Sequence, residues 1–379
     1  MRIAYLDHTS RWSGGEVALY NLLTHPNEDV EPLVILAEHG PLAEKLQEAG
    51  VDVRIIPLDE KVRNRNRNAL TPSLLSSCIS MMRYGHRLGK ILTQENIDGI
   101  HTNSLKSALY GAVAARKVKK PLIWHIRDQI ASPYLHPLVA KTLRTLVHIL
   151  PDGIITNSTS TLSTLQLPQK KLQRAEIIYS AYADKLENPA HQDHREQPFH
   201  VLLVGRLAAW KGQHVLLQAA KLLKDVPHVH FWLAGDALFG EEAYKEELKA
   251  FIQHENLQNV TLLGHVDPIK PWLQKAHLLI HTSITPEPFG QVIVEGMACG
   301  LPVIASDAGG PKEIVVPNET GLLIEPNKPA VLSEALQWML DHPEQRKEMG
   351  LQGMQRVKQH FVIEQTSHKL TKFYQRLLQ

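Results

Sequence analysis

With 379 residues, 43% of them hydrophobic and 21% charged, the chain is long enough for more than one core and has an ordinary globular composition. Its 41 basic and 39 acidic residues leave a net charge of +2, which excludes a general nucleic-acid binder. The two cysteines, Cys78 and Cys299, give no disulfide framework; no apolar run reaches the ~18 residues of a membrane span, and the first residues read as a strand rather than a signal peptide, so a cytoplasmic protein is expected.

In chain order, Arg2 to Leu6 predicts a strand, Asp7 to Gly15 a loop, and the periodic Val17, Leu19, Leu22 and Leu23 a helix. Strand, glycine loop and helix open a doubly wound α/β fold, although the GxGxxG dinucleotide fingerprint is missing. Gly14 and Gly15 read either as a backbone cradle for part of a ligand or as a tight turn. Further strands are predicted at 32–37, 51–57, 99–102, 122–126 and 153–157, with helices at 41–49 and 106–116 between them. Such alternation implies a parallel sheet, which binds ligands beyond the carboxyl ends of its strands. His125, Arg127 and Asp128, in the run Trp-His-Ile-Arg-Asp, fall at one of those ends, and His101 is a weaker candidate by the same logic.

From Arg54 to Lys90, eight basic residues face two acidic ones, a local charge of +6. Arg63, Arg65 and Arg67 alternate with asparagines, and Leu74, Leu75, Ile79, Met82 and Leu88 then supply the apolar side of a helix. This reads either as a surface for an anionic acceptor or acidic lipid headgroups, placing the protein peripherally at the inner face of a membrane, or as a solvated loop beside a packed helix. Prolines and charges break the periodicity over 185–198, the predicted linker, leaving domains at 1–184 and 199–362. His191, Asp193 and His194 lie in that linker without the ordered fourth partner of a zinc site, so no bound metal is expected.

A second α/β set is predicted from strands at 200–205, 229–234, 260–263, 278–282, 302–305 and 321–325. Its organising stretch is 282–313. Pro288 and Gly290 sit at a helix start, whose free amides and dipole hold a phosphate or a developing anion. Gly309 and Gly310 would let backbone approach a ligand with no Cβ in the way. Glu287 lies before the helix and Glu295 about a turn inside it, and carboxylates accept hydrogen bonds from sugar or ribose hydroxyls. Arg206, ending the set's first strand, and Lys211, which with Gly212 begins the helix after it, are the two cations a diphosphate requires. A phosphorylated, hydroxyl-rich ligand fits this pattern.

These residues resemble a family 4 glycosyltransferase of the GT-B type, a retaining enzyme with two Rossmann-like domains facing across a cleft. The resemblance rests on Gly205-Arg206 followed after four residues by Lys211-Gly212, on Ala234-Gly235-Asp236, on Leu262 to Val266, and on Glu287-Pro-Phe-Gly290 with Glu295. Gly300 to Ser306 and Ala308 to Val315 complete it, while the first half matches through Ser13-Gly-Gly-Glu16 and the His125 region. The resemblance implies that Arg206 and Lys211 hold the donor's diphosphate, that Glu295 binds ribose, and that His265 and Val266 meet the base. Glu287 would contact the donor sugar, Phe289 and Gly290 would present amides to sugar and phosphate with Gln291 beside them, and Gly14 and Gly15 would line the donor. His125 would stand near the transferred sugar; the jobs of Arg127 and Asp128 stay open. Residues 363–379 would cross back onto the first domain.

The implied reaction moves a sugar from a uridine- or guanosine-diphosphate donor to an acceptor hydroxyl with retention and without cofactor or metal. The setting would be bacterial polysaccharide, lipopolysaccharide or glycolipid assembly, with no nucleic-acid partner. A glycosidase would need its two carboxylates but no diphosphate cations. A sugar-nucleotide epimerase of similar fold would use no acceptor, and a non-catalytic nucleotide-sugar-binding protein would release no diphosphate.

Overall fold

Short apolar runs bounded by turn residues become strands, the central ones of each sheet buried on both faces, in the computed structural model, which describes residues 1–63, 74–186, 198–238 and 240–378. The chain divides into two compact units, Met1–Ala183 with Ile363–Gln379, and Asp184–Val362. Among the described residues no helix is long and apolar enough to cross a membrane.

The first unit holds a seven-stranded parallel sheet: β1 Arg2–Asp7, β2 Glu31–Leu36, β3 Asp52–Ile55, β4 Gly99–Thr102, β5 Leu122–Ile126, β6 Gly153–Thr156 and β7 Ala175–Ile177, in spatial order β3-β2-β1-β4-β5-β6-β7. β7 carries no strong apolar run, and sequence pattern missed it. Helix Gly14–Thr24 follows β1, and helix Leu105–Val118 follows β4 behind a Ser104 capping box closed by Ser107. The strand order reverses between β1 and β4, so a crevice opens beyond their carboxyl ends.

Helix Ile363–Leu378 belongs to this unit because its apolar stripe has a place there. Leu370, Phe373 and Tyr374 are buried with Ile3, Tyr5, Leu19, Ile123 and Ile155, each such side chain contributing about 1.5–3 kcal/mol. Gly153 makes room for it, since a Cβ there would come within 2.8 Å of Phe373 and Leu377. Asn27 fixes its first turns by donating to Ser367 Oγ at 3.0 Å and Thr371 Oγ1 at 2.9 Å.

The second unit repeats the plan with six parallel strands: β8 Phe199–Val204, β9 Val229–Ala234, β10 Val260–Gly264, β11 Leu278–His281, β12 Val303–Ser306 and β13 Gly321–Ile324, in order β10-β9-β8-β11-β12-β13. Here the order reverses between β8 and β11. The architecture is two parallel-sheet, Rossmann-like α/β units.

Candidate functional site

The carboxyl ends of β8 and β11 bring together residues from distant parts of the chain. After β8 the chain passes through Gly205 and Arg206 into a 3-10 turn, Ala209–Lys211. Gly212 then adopts φ +73° and caps helix Gln213–Leu222. A Cβ on Gly212 would lie 2.0 Å from the Thr282 carbonyl oxygen, so only glycine lets this turn press against the exit of β11. Lys211 therefore ends a turn rather than opening the helix, and its ammonium reaches Glu287 Oε1 at 2.5 Å.

Glu287 has both oxygens occupied. Oε2 accepts from Ser283 Oγ at 2.6 Å and lies 2.7 Å from His281 Nε2. Burial by itself would raise this carboxyl; the Lys211 charge, and next the His281 ring, reverse that and hold it well below the usual carboxylate range. His281 and Ser283, which the sequence reading passed over, thus fix the glutamate that it singled out. Their only signal is position, as polar residues at the end of an apolar strand just before Glu287.

Lys211 and Arg206 flank Trp210, with 4.6 Å and 5.9 Å from charge to ring centroid. Arg206 also pairs with Glu241 at 3.3 Å. Gly290, at φ +110°, caps helix Gln291–Ala298, with Phe289 buried before it. Glu295 is half-buried on that helix; burial, with Asp184 adding to it, pushes its carboxyl up to about 7 against a hydrogen bond from Gln291. His265 and Val266 follow β10, two strands from β8, the first exposed and the second half-buried.

The glycine pair Gly309-Gly310 has a different reason from the expected ligand clearance. A Cβ on Gly309 would fall 2.2 Å from the Glu287 carbonyl oxygen, and one on Gly310 would fall 2.3 Å from that of Phe289. What approaches so closely is the chain's own 287–289 backbone, which Gly309 pairs with in a parallel bridge. The pair holds the Glu287 loop in place.

In the first unit the corresponding ends of β1 and β4 gather Asp7, His8, Asn103 and Ser104. Asn103 donates to Asp7 Oδ2 at 2.7 Å and receives the Arg127 Nε–H on Oδ1 at 2.9 Å. His8 Nδ1 lies 3.1 Å from Asp7 Oδ1 and 2.8 Å from Ser104 Oγ. Burial would raise Asp7, but hydrogen bonding and charge from His8, then Asn103 and Ser104, lower it overall. Glu16 behaves oppositely: burial, then the Asp7 charge, pushes it up to about 8 against its bond from Ser13. Arg127 also donates to Ser180 Oγ at 3.0 Å, and burial draws its guanidinium down to about 10 against the pull of Glu16 and Asp7.

Neither Gly14 nor Gly15 has a positive φ, and both lie inside the first turn of helix Gly14–Thr24 rather than in a loop. A Cβ on Gly14 would meet nothing within 4 Å, and one on Gly15 would meet only Arg127 Cδ at 3.7 Å, so the tight-turn explanation of this pair fails. His125 is buried in β5 beside Arg127. Asp128 turns elsewhere and accepts from Tyr134 at 2.6 Å. Arg63 ion-pairs with Glu38 at 3.0 Å, and Glu38 also accepts from Thr9 Oγ1 at 2.7 Å in the loop after β1, which puts Arg63 at the carboxyl edge of the sheet. Arg65, Arg67, His191, Asp193 and His194 lie outside the described residues. Among the described residues no group of three or more His, Cys, Asp and Glu side chains is placed to hold a metal ion.

The model for "Glycosyl transferases group 1" matches residues 184–356, and that for "Glycosyltransferase Family 4" matches residues 41–185. An uncharacterized glycosyltransferase of Methanocaldococcus jannaschii is 29% identical over 80% of this chain and 84% of its own length. The N-acetylgalactosamine-N,N'-diacetylbacillosaminyl-diphospho-undecaprenol 4-alpha-N-acetylgalactosaminyltransferase of Campylobacter jejuni is 30% identical over 55% of this chain and 56% of its own length, so this match spans little more than half of that relative. The crystal structure of Anabaena Alr3699/HepE in complex with UDP-glucose superposes with a TM-score of 0.86 at 25% identity, covering 99% of this chain and 100% of that one. Two matching halves and a shared two-unit fold give one result: the chain belongs to the GT-B glycosyltransferases of the family 4 type.

Proposed function

We propose that this protein transfers a sugar from a uridine- or guanosine-diphosphate donor to a hydroxyl of a glycan or glycolipid, with retention at the anomeric carbon and without a metal in the chemical step. The observation that carries the reading is the Lys211–Glu287 pair at the β8/β11 crossover, beside the amides that open helix Gln291–Ala298. An ammonium held 2.5 Å from a carboxylate is a stored cation. When a diphosphate arrives, Lys211 exchanges Glu287 for phosphate oxygens, and Glu287, still held by His281 and Ser283, turns its vacated oxygen to a sugar hydroxyl. As the glycosidic bond breaks, charge grows on the leaving diphosphate, where Lys211, Arg206 and the helix-start amides stabilise it without reorganising. Glu295 accepts from the ribose. His265 and Val266 bound the base, and Gly14 and Gly15 leave room for the donor in the first unit.

The first unit takes the acceptor. Arg63 at its carboxyl edge and Arg127 beside Asp7 give it basic groups there, with Asp128 fixed by Tyr134. Helix Leu74–Leu92 exposes Met82, Arg83, Arg87 and Lys90, the mixture of apolar and basic side chains that lies against acidic lipid headgroups. This supports peripheral contact with the cytoplasmic face of a membrane and an acceptor drawn from bacterial polysaccharide, lipopolysaccharide or glycolipid assembly.

Thermal unfolding of the purified protein across a panel of nucleoside diphosphates and their sugars tests the donor. One base should raise the melting temperature by mass action, and its sugar should raise it further. A panel with no stabilising member sinks the reading. The product's anomeric proton coupling must match the donor's, and a sugar-nucleotide epimerase would be betrayed by a changed donor with no diphosphate released.

A further inference from the structure

A line of hydrogen bonds in the first unit runs from the C-terminal helix to His125. Tyr5 on β1 and His101 on β4 are register partners, and His101 pairs with Ile123 on β5, two residues before His125. Residues two apart on a strand share a face, so Tyr5, His101 and His125 stand in one row. The helix Ile363–Leu378 covers that row and places the Tyr374 hydroxyl 2.6 Å from His101 Nδ1 and 3.0 Å from the Tyr5 hydroxyl. His101 Nε2 in turn lies 3.1 Å from His125 Nδ1. All four side chains are buried.

The direction of this line follows from one group that can only donate. Arg127 Nη2 lies 3.4 Å from His125 Nδ1, and a guanidinium has no acceptor, so Nδ1 carries the lone pair. His101 Nε2 must then bear a proton and donate to the same atom. Both rings are neutral: burial, reinforced by the Arg127 charge, takes His101 down to about 3 and His125 well below its ordinary value. A neutral ring has one N–H, so His101 Nδ1 accepts the single Tyr374 hydroxyl proton, the Tyr5 hydroxyl donates to Tyr374 in turn, and His125 carries its proton on Nε2. That Nε2 is buried and, among the described residues, has no hydrogen-bond partner. A buried donor left unpaired is unfavourable, and an arriving acceptor relieves that cost.

We propose that His101 and Tyr374 are positioning residues that hold His125 in the Nε2–H tautomer and orientation, so that it presents a fixed donor to an oxygen of the reacting sugars. The inference rests on the transferase reading for the identity of that oxygen, but not for the hydrogen-bond direction. It gives the returning C-terminal helix a task besides covering apolar surface, and it explains why Tyr374 rather than phenylalanine stands at the centre of that helix's buried stripe.

Ring nitrogen resonances of the 15N-labelled full chain test it without any ligand. In the wild type, His125 should show a protonated Nε2 and an unprotonated Nδ1. In Tyr374→Phe, which removes only a hydroxyl, the His101 and His125 signals should move toward a tautomeric average. With UDP-glucose and GDP-mannose as probes, kcat should fall about threefold to tenfold while the donor KM stays within about twofold. His101→Phe should lower kcat further, and unfolding curves of both variants separate this from loss of structure. A proton on Nδ1 of wild-type His125, or a tautomer shift with unchanged kcat, overturns the proposal. A locked tautomer in a protein that binds no nucleoside-diphosphate sugar bears out the hydrogen-bond direction and sinks the transferase reading instead.

Discussion

The two crossover points use the same fold position and hold charge in opposite ways. At β8/β11 an ionised Glu287 is matched by Lys211 and steadied by His281 and Ser283. At β1/β4 an ionised Asp7 stands near a carboxyl, Glu16, that burial and Asp7 push up to about 8, and the nearby His125 and His101 are held neutral. A matched ion pair can trade one partner for an incoming anion at modest cost. Neutral donors in a directed row cannot trade; they keep an orientation. On the proposed function, the difference fits phosphate chemistry in the second unit and placement of hydroxyls in the first.

The comparison breaks most directly at Lys211. Lys211→Ala should lower donor turnover by about a hundredfold to a thousandfold, the usual loss for a group facing transition-state charge. It should also destabilise the second unit by about 3–5 kcal/mol, because Glu287 stays buried without its cation. Steady-state kinetics and urea unfolding report the two losses. Unchanged turnover would leave Lys211 as a structural ion-pair residue.

Glu287→Gln should cost about tenfold to a hundredfold in turnover, through the lost sugar contact. Its pH signature is separate. The folded carboxyl titrates below its ordinary 4.5, so the ionised form stabilises the fold above that value, and this stability is lost as the pH falls below it. The variant should lack that acid limb in melting temperature measured from pH 3 to 7.

Glu295→Gln sharpens the contrast with the opposite sign. Its carboxyl is pushed up to about 7 from an ordinary 4.5, so the wild type loses stability as pH rises between those values and the buried group is forced to ionise. The variant should melt higher than the wild type above pH 7, yet bind donor about tenfold more weakly for want of a charged acceptor. Glu16→Gln is the smallest effect: the acid is already protonated at pH 7, so turnover there should stay within about threefold. The variant's stability should draw ahead of the wild type's as the pH rises from about 4.5 to about 8, and keep a constant margin above that.

Much of the second unit was legible because its chemistry is local. Glu287, Phe289, Gly290 and Glu295 sit within nine residues, so loop and helix start could be read together. The bond that organises them could not, since Lys211 and Glu287 are 76 residues apart and meet only through the β8/β11 crossover. The glycines show the same limit. Their lack of a Cβ was readable, but whether ligand or main chain fills the space was not; at Gly309 and Gly310 it is main chain. In the first unit the row from Tyr374 to His125 joins residues separated by 273 positions at its widest step, a meeting that no local pattern announces.

The partner exchange at Lys211 is best tested by calorimetric titration of bare uridine and guanosine diphosphate into the wild type, Lys211→Ala and Glu287→Gln. Lys211→Ala should bind the preferred diphosphate at least about tenfold more weakly, while Glu287→Gln, whose lysine is already released, should bind it at least as tightly as the wild type. Equal affinity in Lys211→Ala, or a parallel loss in Glu287→Gln, would contradict the exchange.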